Sequence, residues 1–319
     1  MITIGNEELS LSLNPDVGGS ITEIRHMRSG LSVLGRVPWD PQTGPLASFA
    51  ARDETEWLTR YTGGWPLLFP NGGDACQFGN VFHGFHGEAS ISPWRAAVAG
   101  SVVSLERRFF TVPVVMRRRI SLAVDHVLVE EEVEMLGDRP VEVMWGHHST
   151  FGSDLLAGPV EITSGARQAT ADKSFDPVTN PLLPGGSGAL VAMPGKSGQA
   201  DLAHPSLPLA ALLYIDDFDI AWAAIRRLDN AIAVQLTWDG KCFPCAWLWY
   251  ELKGTFDAPW HGQAMLIGIE PNTTRPAYGL SHAKDSGARL LHLEPGSHHH
   301  AWLRLHVFRP QGPVWSAPP

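Results

Sequence analysis

Three stretches of the chain carry side chains able to move protons between hydroxyl groups. The first is Phe82-His83-Gly84-Phe85-His86-Gly87-Glu88, which follows the loop Phe69-Pro70-Asn71-Gly72-Gly73-Asp74. Two histidines set among glycines point to backbone turned tightly around something small. Histidine donates or accepts near neutral pH, which suits a hydroxyl-rich ligand and proton transfer. The second is Trp145-Gly146-His147-His148-Ser149-Thr150-Phe151. With the two-residue period of a strand, Val141, Val143, Trp145 and His147 share one face, and Glu142, Met144 and His148 share the other. At most one of the adjacent histidines therefore enters any given cleft. The third is Met265-Leu266-Ile267-Gly268-Ile269-Glu270-Pro271. Both faces of this run are apolar, as in a buried central strand, and Pro271 is expected to stop its ladder. Desolvation at the end of such a strand raises the pKa of a carboxylate towards the working range of a general base. Against these functional readings stand bland ones: a buried structural histidine in each pair, and a structural ion pair at Glu270.

Other features weigh less. Cys242-Phe243-Pro244-Cys245 precedes a strand-like run rather than a helix, and no second cysteine pair or ligand-spaced histidine completes a zinc site. His298-His299-His300 leads into an alternating strand, where consecutive side chains cannot all face one metal. No metal or other cofactor is expected. Twelve tryptophans are unusually many for 319 residues. Aromatic faces stack on the C–H faces of sugars, although tryptophan also fills wide cores. Trp65 and Trp94, near the first histidine segment, are the expected stacking surfaces.

The elements that must position these groups are strands. The chain has 32 Gly and 25 Pro, punctuation that long helices do not tolerate and many short strands require. Alternation marks a hairpin, with Ile120, Leu122 and Val124 leading to a turn at Asp125-His126. Val127, Val129, Val133 and Met135 follow on its buried face; Leu128, Glu130, Glu132 and Glu134 lie on the other. Further strands are expected over Ser101–Phe110, Val141–His148, Leu209–Ile215, Ala231–Trp238, Ala246–Leu252, Gln263–Glu270 and His300–Phe308. No 3.6-residue period persists over 12 residues, so helix is confined to short connectors. The expected architecture is all-β: one large antiparallel β-sandwich domain over residues 1–309, followed by a Pro-rich tail over 310–319. A net charge of −9, with no basic run longer than Arg117-Arg118-Arg119, argues against nucleic acid as a partner. No apolar stretch approaches the length of a transmembrane helix. The N-terminus reads as a first strand rather than an export signal, and three cysteines imply no disulfide framework. A cytoplasmic protein is expected.

Taken in order, the motifs resemble those of the aldose 1-epimerase family (galactose mutarotase-like proteins). Members carry an H-G-F-A-R-like segment with a Trp shortly after, then N/G-x-H-x-x-F, then a late E-P. Here His86-Gly87-Glu88-Ala89-Ser90 with Trp94 keeps the first spacing, while His83-Gly84-Phe85 is literally H-G-F. Gly146-His147-His148-Ser149-Thr150-Phe151 matches the second motif, Ile269-Glu270-Pro271 the third, and Leu293-Glu294-Pro295-Gly296 the family's closing L-x-P-G turn. The resemblance implies a β-supersandwich and an isomerase of sugar anomers. Glu270 would be the general base, His148 the general acid, and His86 a binding or assisting group at the ring oxygen. Asn71, Asp74, His83, Trp65 and Trp94 would contact the sugar, in a monomer or homodimer. The sequence departs from the family at Ser90, where an arginine is usual, and lacks the arginine expected near the Phe69–Asp74 loop. With the negative net charge, this argues against a phosphorylated sugar. Two rival functions share the fold: a sugar-binding protein without catalysis, and a glycoside hydrolase or lyase. A retaining hydrolase needs a second carboxylate about 5 Å from the first, for which Asp74, Glu88, Asp216, Asp217 and Asp219 are candidates.

Overall fold

The computed structural model describes residues 1–42 and 48–310, so the expected tail beyond Pro310 lies outside the described residues. The molecule is mostly strand, with a five-residue helix at Glu54–Leu58 and a seven-residue one at Gly279–Asp285. A large antiparallel sheet dominates. Across it run, in spatial order, Gly146–His147, Met265–Asn272, Cys245–Leu252, Leu209–Arg227, Ala233–Trp238, His298–Phe308, His126–Met135, Val114–Leu122, Val102–Arg108 and Arg95–Ala99. The strand Leu209–Arg227 is far longer than its sequence pattern suggests. Its first half pairs with Cys245–Leu252 and its second with Ala233–Trp238, so it ties the two halves of the sheet together.

A second, four-stranded sheet is formed by Ile2–Gly5, Leu9–Asn14, Ser20–His26 and Leu31–Ser32. Leu9, Leu11 and Leu13 alternate inward from it and share the main core with Val103, Ile120, Val129 and Leu303 of the large sheet. This is the two-sheet burial that period-two patterning anticipates. Among the described residues, no helix is long and apolar enough to cross a membrane.

Three expectations need correction. Val124 lies in the hairpin turn and is exposed, because the strands end at Leu122 and restart at His126. Pro271 does not end its strand; it pairs with Ala246, and Asn272 follows it in register. The missing N–H costs nothing at that point, where the neighbouring chain breaks between Gly146–His147 and Ser149–Phe151. The expected strand Val141–His148 is likewise divided, since Val141–Val143 leaves the large sheet to pair with Leu291–Leu293.

Candidate active site

Sheet register builds one wall of the candidate site. Gly146 lies opposite Asn272, and Ser149 opposite Ile269. The same register sets His148 opposite Glu270, and opposed residues project from the same face. On the other side of Glu270 stands Trp247, while Trp249 stands opposite Gly268. The pleat thus places His148, Glu270, Trp247 and Trp249 together, and all four line one cleft. Gly268 is required here for space. A Cβ at that position would lie 2.3 Å from Glu270 Oε1, so the missing side chain leaves the volume the carboxylate occupies.

Loops bring the opposing wall. Asn71 donates through its amide to the carbonyls of Asp74 and Gly84 and accepts from the Leu280 N–H, fastening the Phe69–Asp74 loop to its neighbours. Gly73 in that loop has φ +84°, and a Cβ would sit 1.9 Å from the Ala277 carbonyl oxygen. Only glycine fits there. The Gly73 N–H donates to His86 Nδ1 at 3.0 Å, and the His86 N–H donates back to the Gly73 carbonyl at 2.9 Å. The imidazole is thereby fixed in orientation. The short helix Glu54–Leu58, capped by the Asp53 side chain on the Glu56 N–H, delivers Trp57 and then Tyr61. Trp57 donates to Ser90 Oγ and lies edge-on to His86, with ring centroids 4.7 Å apart. His86 and His148 are 5.2 Å apart between centroids. Trp249 touches both His148 and Trp260, closing an aromatic wall.

The cleft is also lined by Glu54, Asp74, Phe85, Phe175, Leu212 and Tyr278. Among the described residues, no Lys or Arg lines it.

The electrostatics are unusual for three ionisable groups at one place. Glu270 is only 2% exposed, no Lys or Arg pairs with it among the described residues, and burial pushes its carboxyl well above the ordinary range. Burial lowers His148 to about 4, partly offset by a backbone hydrogen bond. Burial, with the neighbouring His148, also holds His86 well below its ordinary value. A backbone N–H can only donate, so His86 Nδ1 must accept and its proton sits on Nε2, open for donation. His148 Nε2 lies 3.7 Å from Glu270 Oε1. The separation exceeds a hydrogen bond, and the two groups stand side by side on the cleft.

Other expected site residues are placed elsewhere. Trp65 and Trp94 are buried in the main core: Trp65 donates to His147, and Trp94 to the Ala89 carbonyl. Neither lines the cleft. Apolar area drew both inward, and their indole N–H groups found internal acceptors. His83 is buried without lining the cleft and is lowered to about 4 by burial, against an opposing pull from Glu88. Asn71 supports the loop without lining the cleft, whereas Asp74 lines it. Glu88 is no second catalytic carboxylate. It is buried against Arg107 and accepts the N–H groups of Phe110 and Thr111. Asp216 pairs with Arg275, and Asp217 and Asp219 pair with Arg167. Trp57, Tyr61, Thr150, Trp249 and Trp260 were not singled out by sequence reasoning. The Asp53-to-Glu56 capping spacing is the one local signal that could have drawn attention to the helix carrying Trp57. Cys242 and Cys245 are free thiols, and among the described residues no group of three or more His, Cys, Asp or Glu side chains could hold a metal.

Comparison with known proteins gives the family and the fold. Residues 1–307 match the family described as Domain of unknown function (DUF4432), and the chain belongs to it. None of the curated proteins matches the chain. Among solved structures, the Slr1438 protein of Synechocystis is 19% identical with a TM-score of 0.67, the alignment covering 97% of this chain and 96% of that one. A galactose mutarotase-like protein from Lactobacillus casei is 16% identical at TM-score 0.65, over 97% and 100% of the two chains. A galactose mutarotase related enzyme from Lactobacillus acidophilus is 14% identical at TM-score 0.62, over 96% and 97%. Likeness at such identity is likeness of fold, and the fold is galactose mutarotase-like.

Proposed function

We propose that this member of the family interconverts the α and β anomers of an uncharged aldose by general acid–base ring opening. The observation that carries the reading is the cross-strand pair of His148 and Glu270, 3.7 Å apart on the cleft face, with no Lys or Arg among the described residues lining that cleft. In the ion-pair form, Glu270 takes the proton from the anomeric hydroxyl while His148 gives one to the ring oxygen. The C1–O5 bond breaks, leaving an open-chain aldehyde with Glu270 protonated and His148 neutral. After rotation about C1–C2, attack of the O5 hydroxyl on the other face returns its proton to His148, and Glu270 reprotonates O1. Both groups end where they began, so neither metal nor nucleotide is called for. Neutral His86, with its proton on Nε2, supplies a donor to a sugar oxygen. Trp57, Trp247, Trp249 and Trp260 supply stacking faces, and the carboxylates Glu54 and Asp74 with no facing Lys or Arg disfavour a phosphorylated ligand.

Proton exchange spectroscopy of anomer interconversion, run over a panel of neutral aldoses, tests the reading directly. Accelerated exchange that disappears in Glu270→Gln supports it. Saturable sugar binding without acceleration would point to a binding protein, and release of a new reducing end from a glycoside to a hydrolase.

A further inference from the structure

Asp172 is a buried carboxylate, 4% exposed, that does not line the cleft and takes no part in the acid–base pair. Four donors converge on it. Its Oδ2 receives Tyr214 Oη at 2.5 Å, while its Oδ1 receives Tyr278 Oη at 2.5 Å and the N–H groups of Ser174 and Phe175, both at 2.7 Å. Tyr214 Oη in turn accepts the Ala277 N–H at 3.1 Å. Phe175, Ala277 and Tyr278 line the cleft. We infer that Asp172 is a positioning residue for the sugar: from outside the cleft it ties these three residues into one wall, and so sets sugar affinity without entering the proton transfer.

Sheet register puts this wall at the end of the cleft remote from His148. His148 stands opposite Glu270, Glu270 opposite Trp247, and Trp247 opposite Tyr214; in the next row Gly268, Trp249 and Leu212 follow one another. Two strand spacings, about 10 Å, therefore separate Glu270 from Tyr214. The stacking faces of Trp247 and Trp249 lie between the acid–base pair and the wall. Only a carboxylate serves all the donors at its far side. Both phenols are pushed up, by burial first and then by Asp172 itself, so they keep their protons and donate. The backbone N–H groups can do nothing else. An amide at position 172 would have one accepting oxygen and would turn its own N–H groups on a tyrosine that has a proton to give. The carboxylate thus joins the loop after Val160–Ala171, the strand Leu209–Arg227 and the segment 273–278 that leaves the Glu270 strand. The kinetic consequence rests on the proposed anomer chemistry, whereas the effect on sugar affinity does not.

Anomer exchange of D-glucose, D-galactose, D-xylose and L-arabinose by the full chain, with kcat and KM separated, tests the inference, and tryptophan fluorescence titration with the same sugars reads affinity. Tyr278→Phe keeps the ring and removes only the tether. Its KM should rise roughly three- to tenfold, the scale of one hydrogen bond, with kcat within about twofold. Asp172→Asn should raise KM at least as much, and the double variant should be no worse than Asp172→Asn alone, since both changes act through one contact. A role in stability alone would lower the melting temperature and leave KM where it was. An unchanged KM in both folded variants would overturn the inference. So would a double-variant rise equal to the product of the single ones, which would make the Tyr278 hydroxyl act independently of Asp172. Should Asp172→Asn fail to fold, Tyr214→Phe decides in its place: Tyr214 does not line the cleft, so a raised KM there must come through Asp172 and Ala277. If the wild type binds these sugars without accelerating exchange, the functional reading fails, while affinity weakened by the same factors in the same variants still supports the positioning role. A wild type that neither exchanges nor binds any of them overturns both.

Discussion

His147 and His148 are neighbours in the chain, and each faces a buried glutamate from opposite sides of one sheet. His147 Nε2 lies 3.2 Å from Glu131 Oε2, and its Nδ1 accepts from Trp65. Glu131 also receives Arg118 Nε at 2.7 Å and Trp145 Nε1 at 3.0 Å, all inside the core. Burial by itself would raise this carboxyl, but His147 and then Arg118 reverse that and hold it at about 2. Across the sheet, Glu270 faces His148 with no arginine lining the cleft among the described residues, and burial raises its carboxyl. The chemistry of the two pairs is alike; the third partner differs. With Arg118 the carboxylate is locked in its charged form and becomes a structural post. Without one, nothing offsets the burial that raises the Glu270 carboxyl, and the pair opens on a cleft.

Breaking the two pairs should therefore give opposite results. The largest effect is expected from Glu131→Gln, which leaves Arg118 buried without its counter-charge and should cost about 3–5 kcal/mol at neutral pH. Denaturant unfolding measures it. Because Glu131 is lowered in the folded protein, its contribution is present above the unfolded value, about 4.3, and is lost as pH falls towards about 2. The gap between wild type and variant should close over that window. A cost below about 1 kcal/mol would mean the core pair does not act as a post.

Glu270→Gln should instead reduce anomer exchange by roughly 100-fold or more and leave the fold intact. The Glu270 carboxyl is raised in the folded state, so its favourable contribution is complete below the ordinary carboxyl value and is lost as pH rises through the folded one. The variant should thus gain on the wild type in melting temperature as pH increases. A variant that unfolds would make Glu270 the structural member and reverse the comparison.

The histidines sharpen the contrast further. His148→Asn should slow exchange much as Glu270→Gln does, and the double variant should be little worse than either, as for groups working in one relay. His147→Asn should leave the rate within a few-fold while lowering stability by about 1–3 kcal/mol, the cost of buried partners left unpaired. Equal rate losses in both would dissolve the distinction. The smallest effect is optical. Sugar-induced change in tryptophan fluorescence should fall in Trp249→Phe and survive in Trp94→Phe, since Trp249 lines the cleft and Trp94 stays in the core.

Period-two patterning, a property of the pleated backbone itself, made part of this legible. It assigns His147 and His148 to opposite faces of their segment, and it marks Met265 to Glu270 as a strand buried on both faces. The same alternation carries a further signal. Glu131 is in phase with Val129 and Val133, and Arg118 with Met116 and Ile120, so the burial of this pair follows from the pattern of its own strands. Pairing across the chain was not legible. That His148 stands opposite Glu270 depends on register between segments more than a hundred residues apart. That Trp57 and Tyr61 reach the cleft, while Trp65 and Trp94 do not, depends on which loop packs over which sheet edge. Local sequence fixes which way a side chain points from its own strand; only the folded sheet decides what it points at, and therefore whether a buried glutamate meets an arginine or an open cleft.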